Sequence, residues 1–338
     1  MPRLSHPLYS ARLAGAIALA VLFLLTGCAS SPKLDPGLGT RIQPKVLLED
    51  VPFHPQRDYQ CGPATLAMLL NDSNVDVSVD TLIPEVYVPG RKGSLQPEML
   101  AATRRHGRIP FVLPARLDAV LGEVDAGHPV AVLQNLSLPA FPLWHFAVVN
   151  GYDLSNEELS MRTGVTRQDH IAFSRFDATW ARSKRWAFVA LAPGELPVDI
   201  EAQNALQAIS DFESSQGAAS ALPAWRAFTE RFPNNAMGAF AQGNAYHATD
   251  DTEHAIDAWQ LATLLDPMLA PAWLNLGLTQ ADLGQQSAAR TALRQAATIS
   301  GPWQETAQRA LTELDAGGLD DRSTPQHNKT PGLKEKPL

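Results

Sequence analysis

From about residue 197 onward the chain repeats at intervals of 34 residues, and no other feature constrains its fold as tightly. Gly243 aligns with Gly277, Ala255 with Ala289, Trp259 with Leu293 and Ala262 with Ala296. One period earlier, Ala221, Trp225 and Pro233 align with Ala255, Trp259 and Pro267. Strand signals vanish here, and Ala, Leu and Gln dominate. A period of this length marks an architecture of repeats stacked on copies of themselves.

The pattern Trp273, Leu276, Gly277, Gly284, Ala289, Leu293 and Ala296 resembles the tetratricopeptide repeat (TPR). Departures from it are visible. Asp250 stands where Gly is usual, Pro302 falls one place late, and the repeat nearest the N-terminus is degenerate. Asp250 and Asp251 read as a loop between repeat helices. The resemblance implies an all-α domain over 197–315 with a concave surface for a protein partner. Residues 316–338 carry Gly, Asp, Lys and Pro without apolar periodicity and are expected to be disordered.

Residues 46–196 read differently. Helices are expected at Cys61–Asn71, on an apolar stripe of Ala64, Leu66, Ala67, Leu69 and Leu70, then at Leu95–His106 and Arg116–Ala126. Strands are expected at Ile109–Leu113, Pro129–Gln134, His145–Tyr152, Glu158–Thr163, Ile171–Phe176 and Arg185–Leu191. Consecutive strands after a helical start imply α+β architecture rather than alternating βαβ units.

The N-terminus carries Arg3 and Arg12, no acidic residue, and then an apolar run from Leu13 to Leu25. That arrangement is expected of a secretory signal, 1–27, and the run is short for a membrane span. Leu25-Thr26-Gly27-Cys28 resembles the lipobox of bacterial lipoproteins, which implies lipid attachment at Cys28. Ala29 and Ser30 follow, with no Asp, which by the same resemblance implies the outer membrane, facing the periplasm. Residues 28–45 then read as a tether.

A mature chain of about 310 residues suggests two domains. The net charge is −8 and no long basic run exists, so nucleic acid is not an expected partner. The only cysteines are Cys28 and Cys61. A lipidated Cys28 leaves Cys61 as a free thiol in an oxidising compartment, a liability unless it serves chemistry.

Its surroundings suit chemistry. Cys61-Gly62-Pro63-Ala64 places a thiol at a helix start, where unpaired N–H groups and the helix dipole are expected to lower its pKa. Trp144-His145-Phe146-Ala147-Val148-Val149 places an imidazole at the head of an apolar strand, suited to general base and then acid. An upstream Gln can aim its amide at an oxyanion.

Together these segments resemble the papain-like, double-glycine-cleaving bacteriocin-leader peptidases over residues 46–196. The resemblance implies Cys61 as nucleophile, His145 as base and Gln56 as oxyanion donor. Gln56 lies five places before the Cys rather than six, and Gln60 is an alternative donor. The family carries an Asp about sixteen residues after the His. Here Leu159-Ser160-Met161-Arg162-Thr163-Gly164 offers no carboxylate. Asp153 and Asn150 are the open candidates to orient His145, although Asp153 lies roughly 26 Å along an unbroken strand.

His54, His106, His128 and His170 lack metal-ligand spacing, Trp180 and Trp186 read as packing residues, and neither metal nor cofactor is expected. The expected whole is an α+β papain-like cysteine peptidase domain followed by an all-α TPR-like domain. Its partners would be a peptide or protein substrate, a protein bound by the repeats and, through the lipid, a membrane. Two rivals stand beside this reading: a non-catalytic adaptor working through its repeats, and acyl transfer on the same Cys-His pair.

Overall fold

The computed structural model describes residues 32–56 and 60–317. The signal segment 1–27, the lipid site Cys28 and all but the first two residues of the expected tail lie outside the described residues.

In chain order the elements are β1 (Lys45–Leu47), α1 (Cys61–Asp72), α2 (Val79–Val86), β2 (Tyr87–Val88), β3 (Gly93–Ser94), α3 (Gln96–Arg105), β4 (Ile109–Val112), α4 (Leu117–Asp125), β5 (Val130–Asn135), β6 (Trp144–Asp153), β7 (Glu158–Thr163), β8 (Thr166–Ala172), α5 (Phe173–Trp180) and β9 (Ala187–Leu191). The helices α6 (Ala202–Gln216), α7 (Ala218–Arg231), α8 (Ala236–Ala248), α9 (Thr252–Leu265), α10 (Ala270–Asp282), α11 (Gln286–Thr298) and α12 (Gln304–Asp315) follow. One expectation is overturned. The strand placed at Ile171–Phe176 ends at Ala172, and α5 begins at Phe173. Phe173, Phe176 and Trp180 are buried at spacings of three and four, a helical period that the short apolar run concealed.

The chain divides into two compact units. The first comprises residues 1–72, 78–94 and 113–188. Its strands are antiparallel in the order β9-β5-β6-β7-β8, with β1 also beside β6. Helix α1 is buried on every side from Gly62 to Leu70, as expected of a helix enclosed by protein rather than lying on a surface. It packs on β5 and β6. In β6 the register places Gln134 opposite His145 and Val148 opposite Arg162. Arg162 is buried, and its guanidinium donates to the backbone carbonyls of Glu49 and Arg167 instead of pairing with a carboxylate.

The second unit comprises 73–77, 95–112 and 189–338. Here β4 neighbours β9, and α6 packs on both α3 and β4. Arg104 donates to Asp211 at 3.0 Å. Each of helices α7 to α12 packs on the next in the chain. The repeat has a physical basis. A Cβ on Gly243 would fall 2.5 Å from Trp259, and one on Gly277 would fall 2.7 Å from Leu293. Asp250 and Gly284, one period apart, both adopt the left-handed conformation that ends a repeat's first helix, at φ +61 and +71. Trp225, Trp259 and Leu293 are buried at equivalent places.

Candidate active site

Cys61 is the first residue of α1, and the Ala64 N–H already donates to the Gln60 carbonyl at 3.1 Å. Pro63 sits in the first turn, where its missing N–H costs nothing. The backbone N–H groups of Phe146, Gly62 and Cys61 itself act on the thiol in the direction that favours the thiolate. Burial acts the other way and is larger, so the thiol is pushed up from its ordinary value. The lowered thiol expected from the helix start is therefore corrected: desolvation outweighs the neighbouring backbone N–H groups.

His145 is the second residue of β6 and is partly buried. Burial pushes its imidazole down. Both shifts favour a resting pair of neutral thiol and neutral imidazole over a preformed ion pair.

Gln56 is tied down twice. Its backbone N–H donates to the Gly164 carbonyl at 2.9 Å, and its side-chain amide donates to the Phe146 carbonyl at 3.4 Å. The peptide groups of Phe146 thus serve both partners, the N–H toward Cys61 and the carbonyl toward Gln56. The structure brings Cys61, Gln56 and His145 together around the head of one strand.

The residue that orients His145 is one the sequence left unassigned. Nε2 lies 2.7 Å from the hydroxyl of Thr163. Val149 faces Met161 and Val148 faces Arg162, so continuing the register sets Thr163 across from Ala147. Side chains alternate along a strand, so Thr163 shares a face with His145. Neither open candidate reaches the imidazole. Asp153 pairs with Lys45 at 3.1 Å and accepts from the backbone of Ser155 and Asn156. Asn150 donates to the Leu48 carbonyl at 3.1 Å. Strand β6 runs unturned through both positions, which keeps them away from its head.

His54 pairs with Asn71 at 2.7 Å and His128 with Glu123 at 2.9 Å. Among the described residues no group of three or more His, Cys, Asp or Glu could hold a metal ion. Trp180 is buried and donates to the Trp186 carbonyl, and Trp186 stacks edge-on against Phe146.

The first unit thus carries a thiol at a helix start and an imidazole at the head of an antiparallel strand, and a series of helices repeating at 34 residues follows it in the chain. Residues 48–187 match the family model described as Peptidase_C39 like family. Among solved structures, a C39-like peptidase from Bacillus anthracis is 17% identical, with 44% of this chain and 97% of that chain covered and a TM-score of 0.38. A double glycine motif protease from an AMS/PCAT transporter, solved with its leader peptide, is 20% identical, with 42% and 91% covered and a TM-score of 0.32. The Sgt2 TPR domain from Aspergillus fumigatus is 20% identical, with 40% and 93% covered and a TM-score of 0.31. No curated protein sequence matches the chain.

Proposed function

We propose that this chain is a cysteine peptidase, held at the periplasmic face of the outer membrane by a lipid on Cys28, whose repeats recruit a protein partner or substrate. The observation that supports catalysis best is the joint setting of Cys61, Gln56 and His145 about Phe146. In the reaction, the Cys61 sulfur forms a bond to the scissile carbonyl carbon as His145 takes the thiol proton. Gln56 and the N–H of Cys61 receive the oxyanion. His145 returns the proton to the departing amine, leaving an acyl-thioester. Water, deprotonated by His145, releases the acid and regenerates the thiol.

Alkylation of the folded protein with iodoacetamide tests this. Cys61 is expected to react with the help of its base, and His145→Ala to slow the reaction by about 10-fold or more. An inert Cys61 in a folded protein removes the peptidase reading and leaves the adaptor. Radiolabelled palmitate incorporation that disappears in Cys28→Ala tests the anchor.

A further inference from the structure

The ten residues from Asn135 to Trp144, which join β5 to β6, contain no charged side chain. They expose Leu138 by 64%, Phe141 by 78% and Leu143 by 60%, with Leu136 and Trp144 about half exposed. Large apolar side chains gathered on one loop mark a surface that meets something.

This loop is built rather than slack. Asn135 is buried, and its side-chain oxygen accepts from the backbone N–H of Ser137 at 3.1 Å and of Leu143 at 2.9 Å. The Leu136 N–H donates to the Leu143 carbonyl at 2.9 Å, and the Phe141 N–H to the Leu138 carbonyl at 3.0 Å. Arg182 reaches in and donates to the carbonyls of Asn135 at 3.0 Å and Ser137 at 2.7 Å. A polar frame holds the backbone while the apolar side chains face water.

Its position follows from strand register. Asn135 pairs with Trp144, so the loop caps the end of the sheet where His145 sits. Thr163 pairs with Thr166, so the Gly164–Val165 turn lies at the same end, and Val165 is 78% exposed. Apolar surface therefore flanks His145 on both sides.

We infer that this end of the sheet is a substrate lip that selects peptides carrying bulky apolar side chains next to the bond attacked by Cys61. The inference rests on the peptidase reading above. A charged side chain placed against the loop would lose water and meet no counter-charge from it.

The test uses the full-length protein and a set of peptides that place Phe and Leu, or Asp and Lys, on either side of candidate bonds, with cleavage followed by mass spectrometry. Wild type is expected to favour the apolar set by roughly 10-fold or more in kcat/KM. The combined variant Leu138→Ser, Phe141→Ser, Leu143→Ser is expected to lose most of that preference while keeping the same unfolding midpoint, because all three side chains are largely exposed. Cleavage by wild type without apolar preference, or a variant that keeps the preference, overturns the inference and leaves the peptidase reading standing. No cleavage of any peptide, with Cys61 inert to iodoacetamide, overturns both. Co-sedimentation with phosphatidylethanolamine–phosphatidylglycerol vesicles that the variant loses, with peptide preference unaltered, assigns the loop to a lipid surface and overturns the inference.

Discussion

At the scale of single residues, the hydroxyl of Thr163 stands where a carboxylate would charge the imidazole. A hydroxyl can fix the tautomer and the ring plane of His145, but it adds no negative charge to hold a proton there. This agrees with an imidazole shifted down and a thiol shifted up, both by burial. Thr163→Val is expected to lower kcat by about 10- to 100-fold, part of what a general base supplies, and Thr163→Ser to restore most of it. Thr163→Asp places a negative charge near Nε2 and raises the imidazole pKa. Alkylation of Cys61 below pH 7 should then be faster than in wild type; an unchanged pH profile would show that Thr163 does not position His145. Asp72 gives a stability prediction. Burial, opposed by His128 and aided by the charge of Asp50, pushes its carboxyl up to about 6, against 3.8 for the ordinary group. The folded state therefore binds this proton more tightly than the unfolded one. The resulting contribution is fully present below the unfolded value and is lost as pH rises through about 6. Asp72→Asn should raise the urea midpoint at pH 7 and have little effect near pH 4. Cys61, His145 and Gln56 could be singled out in sequence because each sits in a short motif. Thr163 was not, because its role depends on the register between β6 and β7, and a lone hydroxyl in a strand carries no motif of its own.

Helices and strands obey the same division between local and distant information. The helical repeat could be read from sequence because its small and bulky residues recur every 34 positions, and in the structure Gly243 and Gly277 each meet a bulky residue about sixteen positions later. That correspondence gives a test. Alanine is usually better than glycine in a helix by about 1 kcal/mol. At Gly243 the new Cβ would fall 2.5 Å from the buried Trp259, and overpacking of that kind costs about 1–3 kcal/mol. Gly243→Ala should therefore lower the denaturant midpoint; a rise would mean that Trp259 yields. The strand wrongly expected at Ile171–Phe176 was misplaced because six apolar-rich residues fit either period. The register alone shows β8 ending at Ala172, opposite Glu158. The unanticipated elements β1, α2, β2 and β3 are two to eight residues long. Segments that short hold too few residues to display a period.

For the molecule as a whole, the division into units does not follow the order of the chain. The second unit takes residues 95–112 from well before the repeats and places α3 and β4 against α6. The salt bridge Arg104–Asp211, at 3.0 Å, belongs to that unit, and the Arg104 side chain is 19% exposed. Native-state hydrogen exchange should therefore find the amides of α3 and those of α6 opening together, with one free energy. Exchange from α3 that is indifferent to Asp211→Ala and much faster than from α6 would contradict a shared unit. A change of composition near residue 197 was visible in sequence. The membership of 95–112 was not, because it is set by partners in β9 and α6, far along the chain.

Arg104 and Asp211 lie 107 residues apart. At about 5–20 residues per second, the ribosome makes α3 wait roughly 5–20 s before α6 exists. Throughout that interval α3 lacks the partner that Asp211 and the rest of α6 supply in the finished protein. During synthesis this stretch is a natural foothold for a chaperone.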